Sequence, residues 1–599
     1  MGSSHSTVSS DKIIIVANNT LHPNQVNERY DIRLMHAPTY GPIKGICDPD
    51  VVWLRNADSL SPREQSYIEK RAGLLDSAWD SQLKRVKLDK KPPRTPVVAM
   101  ALSGGGYRAM LSGSGMAFDP DYQDEENGVG DILGLSTYVS GLSGGSWAVG
   151  SFYVNDGTLP KELVENVWHL EDHLAAPIKN INDVDDLLSF YDHINHEVAH
   201  KREEKTFEVQ ITDAWAVALI DHLMPGKYRS EGGNANVTWS DLTRVPRVRE
   251  ATLPWPIVIA LEREANQPRD TFIATNSTIF EFTPTEFGSW RFAGSQPGAF
   301  TPMKYLGSKL ENGKPIKDAR DCVKGFDNAG FVMGTSASLF NMALVEMSEE
   351  GKESETLLKA LAKAILGLVS DSMDDVATYP NPFYKWDTGA DVIKDMEQIT
   401  LVDGGEADEN VPLEPFLQPA RQVDAIIAFD NSADVNRWPN GKSLHATYEK
   451  AMNQQNMYGI PSMMPPVPSP EGFVNQGLNS RPTFFGCDNS SIPTIIYIPN
   501  YPYIYQSNAD TMKLKYSKEE ALGIVDNGRR ALNLNGTVRN WPQCLTCALM
   551  DNAVMQEKDA ARRKECQECF DRFCWDGTDD QAQPKDYNPK LGDPHPSMP

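Results

Sequence analysis

Pro96–Ala117 reads PVVAMALSGGGYRAMLSGSGMA: an apolar run ending at Leu102, a glycine turn at Ser103–Gly106, and a helix-forming stretch from Tyr107 to Ala117. Apolar, β-branched residues favour a buried pleated strand, and consecutive glycines permit the sharp reversal into a helix. The pattern recurs in Leu133–Tyr153, LGLSTYVSGLSGGSWAVGSFY. There Leu133–Ser140 is predicted as strand, Gly141–Gly145 as turn and Ser146–Tyr153 as helix. Pro256–Leu261, Gln398–Val402, Ala425–Phe429 and Thr494–Ile498 read as further buried strands separated by helical stretches. Alternation of this kind predicts an α/β fold, a three-layer α/β/α domain with helices on both faces of the sheet.

Outward from these units, residues 1–95 are polar and Pro-punctuated; 1–46 are read as an N-terminal tail, and a helix is predicted from Ser61 to about Lys84, opened by Pro62. Residues 155–253 turn mainly helical and interrupt the core, as an insertion or cap would. Met457–Pro470, rich in methionine and proline, reads as an apolar surface connection or a lid over a lipid site.

At 599 residues with a formal charge of −25, the chain is a large acidic globular protein. That charge argues against nucleic acid and against recruitment to anionic membranes through a basic patch. No apolar run approaches the roughly 18 residues of a transmembrane segment, and no secretory signal peptide is visible in Met1–Ala17.

The eight cysteines are Cys47, Cys322, Cys487, Cys544, Cys547, Cys566, Cys569 and Cys574. Two C-x-x-C pairs within 544–574 fit a zinc ribbon, but the intervening residues are helix formers without a glycine knuckle. Disulfides are therefore expected, with no metal. Asn18, Asn236, Asn276, Asn489 and Asn535 are glycosylation sequons.

Gly141-Leu142-Ser143-Gly144-Gly145 matches the G-x-S-x-G elbow, which exposes a serine hydroxyl on a tight strand-to-helix turn. The N–H groups of Gly105 and Gly106 in the neighbouring turn are suited to hold an oxyanion. Asp403, at the end of Ile399–Val402 and followed by two glycines, is a candidate base. A carboxylate must be partly desolvated or well placed to serve in that role, because its ordinary pKa lies two to three units below that of histidine. Read without chemistry, the same residues are two tight βα turns and a capping aspartate.

Two other motifs compete. Gly104-x-Gly106-x-x-Ala109 matches a dinucleotide fingerprint, but the chain continues into the acidic loop Asp119–Gly130 instead of a second strand ending in a carboxylate. His196-Glu197-Val198-Ala199-His200 matches the zinc-peptidase signature. At about 100° per residue, Val184, Leu187, Leu188, Tyr191, Ile194 and Val198 gather on one side of the predicted helix. His196 and His200 then fall on the solvent face among Asp192, Lys201 and Glu203, which is wrong for a metal in a cleft.

Ala101–Met110, Gly141–Trp147 and Leu401–Glu406 together resemble the three core motifs of fungal phospholipase B/lysophospholipases. Glu281–Trp290, Gly334–Asn341, Arg481–Asp488 and the cysteine-rich end resemble that family as well. The resemblance covers Cys47 to Thr578, so 47–578 is expected to be one catalytic domain, with 544–574 as a Cys-rich segment and 579–599 as a C-terminal tail. It implies a core similar to cytosolic phospholipases and a Ser143–Asp403 dyad without histidine. It further implies Arg108 at the substrate phosphate, no cofactor, and phospholipid or lysophospholipid taken from micelles or a membrane surface. Secretion is implied too, while Met1–Ser6 looks like an expression scar where the family's precursors carry a signal; a cytosolic location is the alternative. The rival readings are an esterase with a Ser143–Asp403–His445 triad, a zinc peptidase using His196 and His200, and a non-catalytic lipid-binding protein.

Overall fold

A computed structural model describes residues 40–592 except 89–90, 120–127, 176–183, 204–206, 225–236, 264–272, 275, 317–321, 340–375, 388–390, 556–563 and 585. Its centre is a twelve-stranded mixed sheet. In chain order the strands are β1 (Val98–Leu102), β2 (Tyr138–Gly141), β3 (Trp255–Glu262), β4 (Ile279–Phe282), β5 (Glu286–Phe292), β6 (Gln296–Pro302), β7 (Ala377–Pro380), β8 (Gln398–Val402), β9 (Ala425–Asp430), β10 (Thr483–Phe485) and β11 (Thr494–Pro499). The two-residue strand Arg55–Asn56 closes one edge. Across the sheet the order is β10, β11, β9, β1, β2, β3, β4, β5, β6, Arg55–Asn56. The five strands from β11 to β3 are parallel, and those outside them pair antiparallel. Every residue of β1 is fully buried, the continuous apolar run that a strand covered on both faces requires.

The principal helices are α1 (Pro62–Arg85), α2 (Gly106–Ala117), α3 (Gly144–Val154), α4 (Ala329–Thr335), α5 (Lys442–Tyr458), α6 (Lys518–Leu532), α7 (Trp541–Met555) and α8 (Lys564–Phe573). One face of the sheet, carrying Ala99, Ala101, Ile257, Ile426 and Ile495, packs against Tyr67 and Ile68 of α1 and Leu444 of α5. The Leu102 side chain points the other way and lies under Gly113 of α2. There α2 packs on α3 and α6, and Gly115 and Gly528 bring α2 and α6 into backbone contact. The molecule is thus the expected α/β protein in three layers.

Local chemistry sets the element ends. Ser61 caps α1 by accepting from Glu64 N–H, with Pro62 in the first turn, as the sequence predicts. The predicted strand Leu133–Ser140 is instead a one-turn helix, Ile132–Leu135, followed by β2. Asp131 caps that turn through Gly134 N–H, Ser136 Oγ donates back to the Ile132 carbonyl, and the buried Arg71 of α1 binds the Leu133 and Ser136 carbonyls. Capping and a tertiary arginine override the apolar run.

Residues 155–253 contain the helices Pro160–Asn166, Val184–Glu203, Ile211–Leu223 and Pro246–Arg249. On Val184–Glu203 the inward stripe is Ile194, Glu197, Val198 and Lys201, so Lys201 does not share the solvent face on which the wheel puts it. It pairs with Asp213 at 2.7 Å and sits over the Phe326 and Phe331 rings. Of Met457–Pro470, Met464 and Val467 are built into the core while Met457 and Tyr458 remain exposed.

The cysteines form Cys47–Cys322, Cys487–Cys574, Cys544–Cys569 and Cys547–Cys566, with none free. The two C-x-x-C pairs each occupy one side of α7 or α8, and two bridges lace these helices together. Peptide mapping of the non-reduced protein is expected to recover these four pairs, and elemental analysis to find no stoichiometric zinc. Free thiols on α7 and α8 together with bound zinc would overturn the disulfide assignment.

Candidate active site

The site lies where β1 and β2 end. Along one edge of β3, Gly141 of β2 pairs with Val258, while further on Val402 of β8 pairs antiparallel with Leu261, whose other edge is taken by Ile279 of β4. β2 therefore runs toward the site and stops, and β8 arrives from the opposite direction. At about 3.4 Å per residue, the gap between the two pairings is on the order of 10 Å. Leu142, Ser143 and Asp403 occupy the two chain ends at that gap.

Ser143 leads into α3 with φ 51° and ψ −122°, a conformation that a non-glycine residue adopts only at a cost of roughly 1–3 kcal/mol. The glycines around it are demanded by contact. A Cβ at Gly144 would run into the Gly106 backbone, and one at Gly104 would stand 2.9 Å from the Ser143 Cβ. The two turns interlock.

Asp403 is 1% exposed. Its Oδ1 accepts from Gly405 N–H at 2.9 Å. Burial pushes its carboxyl up to about 6, against hydrogen bonds from the Gly405 N–H and the Ser143 hydroxyl that hold it down. A carboxylate poised there can accept a proton near neutrality, and no histidine is among the groups that move it.

Gly105 (φ 133°) caps α2 and Gly106 (φ 59°) is its first residue. Among the described residues neither N–H has a hydrogen-bond acceptor, as expected for the first turn of a helix. Arg108 is 1% exposed. Its Nε donates to Asn431 O, and its Nη1 donates to Ala509 O and Thr511 Oγ1. Nη2 has no partner among the described residues and lies against Gly105. Burial lowers the guanidinium to about 10, countered by Tyr516 and the carboxylates Asp434, Asp510 and Asp430, so it remains charged at neutral pH. Less of the fork is open to a ligand than the sequence reading supposes.

Two residues of the site were not identified from sequence chemistry. Ser336 Oγ donates to Ile259 O at 2.7 Å and accepts from Ser143 N–H at 3.0 Å. Ser338 Oγ accepts from Asp403 N–H at 2.9 Å. One short segment after α4 therefore braces both chain ends. It stands out in the sequence only through the motif Gly334–Asn341; small polar residues at a helix end carry no chemical signature.

The competing residues lie elsewhere. His445, on α5, has its Nδ1 3.1 Å from Pro468 O, away from Ser143 and Asp403. His196 is exposed, and the His200 side chain lies outside the described residues. Among the described residues no cluster of histidine, cysteine and carboxylate suits a metal. Asn276 and Asn489 are exposed and Asn535 half-buried, while Asn18 and Asn236 lie outside the described residues.

Residues 98–580 match the family model of the lysophospholipase catalytic domain. The chain is 44% identical over 564 residues to a phospholipase B of Cryptococcus neoformans, covering 92% of this chain and 86% of that protein. It is 39% identical over 586 residues to lysophospholipase 2 of Aspergillus fumigatus, covering 93% and 97%. The fold is also that of human GIVD cytosolic phospholipase A2, with TM-score 0.62 and 17% identity over 84% of this chain and 69% of that one.

Proposed function

The chain belongs to the lysophospholipase catalytic-domain family and is a carboxylic ester hydrolase of phospholipid acyl chains; we propose that it works through a Ser143–Asp403 dyad. The observation that supports this reading is the meeting of the strained Ser143 elbow and the buried Asp403 at the gap between β2 and β8, braced by Ser336 and Ser338, where burial raises the Asp403 carboxyl to about 6. Ser143 Oγ attacks the ester carbonyl carbon as its proton passes to Asp403. The negative charge that develops on the carbonyl oxygen is received by the Gly105 and Gly106 N–H groups. Collapse of this tetrahedral species expels the glycerol oxygen, which takes the proton from Asp403 and leaves the fatty acid esterified to Ser143. Water then attacks the acyl-serine while Asp403 takes its proton; collapse of the second tetrahedral species expels Ser143 Oγ, which takes that proton back from Asp403, and the fatty acid departs. No cofactor is required by these steps.

The substrate is a lysophospholipid or phospholipid drawn from a micelle or membrane surface, its phosphate facing Arg108 Nη2. Residues 47–578 form the catalytic domain, 155–253 its insertion, and 1–46 and 579–599 its flanks. Four disulfides and exposed sequons at Asn276 and Asn489 support an extracellular, glycosylated protein.

Fatty-acid release from lysophosphatidylcholine, unchanged by a chelator, is the direct test; loss of all activity with chelator would favour a metal mechanism. Arg108→Lys is expected to depress that reaction far more than hydrolysis of a neutral nitrophenyl ester, because the ammonium cannot reproduce the planar guanidinium. Equal loss on both substrates would assign Arg108 to structure.

A further inference from the structure

Asn410, half-buried beside Gly104 and Gly405, holds the peptide unit on which one of the two oxyanion donors depends. Its backbone carbonyl accepts from Gly104 N–H at 3.0 Å. Its side-chain Nδ2 donates to Gly104 O at 3.1 Å and to Ser432 Oγ at 2.7 Å. Gly104 is thus gripped at both of its polar atoms by one residue.

The consequence follows from peptide geometry. The bond between Gly104 and Gly105 is planar and trans, so the Gly104 C=O and the Gly105 N–H point from opposite edges of one plane. Fixing the carbonyl toward Asn410 fixes the N–H away from it. Glycine on both sides of that bond gives the plane no intrinsic preference, and a Gly-Gly peptide left alone would rotate readily. Gly105, at φ 133°, holds a conformation that side chains rarely adopt.

We propose that Asn410 is the positioning residue of the oxyanion hole, presetting the Gly105 N–H for the charge that develops on the substrate carbonyl. Asn410 is not itself a donor to that charge: Nδ2 carries two hydrogens, and Gly104 O and Ser432 Oγ take both. The inference rests on the serine-hydrolase reading above and adds a residue to it.

The test uses the full chain and two lipid probes. An alkyl trifluoromethyl ketone binds by adding the Ser143 oxygen to its carbonyl carbon. The serine proton moves to Asp403, and the carbonyl π pair becomes an alkoxide in the oxyanion hole. A non-hydrolysable ether lysophospholipid binds without making that charge. In Asn410→Ala and Asn410→Asp, kcat is expected to fall roughly 10- to 100-fold, less than the 10²–10³ typical of deleting a donor outright. The inhibition constant of the ketone should rise by a similar factor, with KM and ether-lipid affinity within about twofold of wild type. Ser432→Ala, which frees the amide to turn, should shift ketone affinity in the same direction by less and serves if the Asn410 variants do not fold. Unchanged ketone affinity, or equal losses for both probes, would overturn the positioning role. Ketone binding to Ser143→Ala as tight as to wild type would instead bring down the serine reading itself.

Discussion

Ser143→Ala is expected to abolish fatty-acid release from lysophosphatidylcholine while folding as the parent does. The expected loss is large, on the order of 10⁶ in kcat, because removing the nucleophile of a serine hydrolase removes the covalent pathway. Folding should survive because alanine keeps the Cβ that the φ 51° elbow already accommodates, and the backbone N–H still donates to Ser336. Only the hydroxyl facing Asp403 is lost. That hydroxyl holds the carboxyl down, so Asp403 should titrate higher in the variant than in the parent. A fluorophosphonate probe should label the parent on the peptide carrying Ser143 and leave the variant unlabelled. Ser103 and Ser336 are the neighbouring serines to watch. Both are fully buried, with Ser103 Oγ accepting from Asn431 N–H and Ser336 Oγ donating to Ile259 O. Labelling at either position would reassign the nucleophile.

The legible parts of this site were those written in local chemistry. A strand, a glycine turn and a helix succeed one another within about 20 residues at Val98–Ala117, and hydrophobic periodicity with turn composition is enough to read them. The same holds for the elbow at Ser143 and for Asp403 at a strand end. What local chemistry does not encode is direction. β8 reaches the site antiparallel to β3, whose pairing residues Leu261 and Glu262 lie far away in the chain, so its approach to Ser143 is a property of the sheet. The braces Ser336 and Ser338 depend on that same long-range arrangement. Lys201 shows the opposite failure. A helical wheel sends a lysine to solvent, and only the fold reveals Asp213 and two phenylalanine rings waiting for it inside. Cysteine spacing likewise admitted zinc or bridges. The pairing of Cys544 with Cys569 and Cys547 with Cys566 follows from how α7 and α8 lie against each other.

Asp403→Asn is expected to lose about 10²–10⁴-fold in kcat, the usual value of a general base, while His445→Ala retains most of its activity. The two outcomes separate the dyad from the triad esterase, because His445 turns its Nδ1 to Pro468 O. The pH profile supplies an independent reading. In the proposed mechanism Asp403 works only as the carboxylate, and burial raises its pKa to about 6. kcat/KM should therefore fall below about pH 6, by roughly tenfold per unit, well above the range in which an ordinary aspartate titrates. A histidine base would give a limb in a similar place, so the decisive observation is that the limb persists in His445→Ala. Stability should move the other way. A carboxyl whose folded pKa exceeds its unfolded value near 3.8 stabilises the fold when protonated, and that contribution is lost as pH rises from about 4 through 6. At pH 7 the ionised Asp403 then costs on the order of 3 kcal/mol, an upper bound set by a shift of about two units. Asparagine carries no such charge, and its Oδ1 can still accept from Gly405 N–H. Asp403→Asn should accordingly melt at or above the parent temperature at pH 7, with the difference closing toward pH 4. An inactive Asp403→Asn that melts well below the parent would trace its lost activity to structure; a limb that disappears in His445→Ala would return the base to histidine.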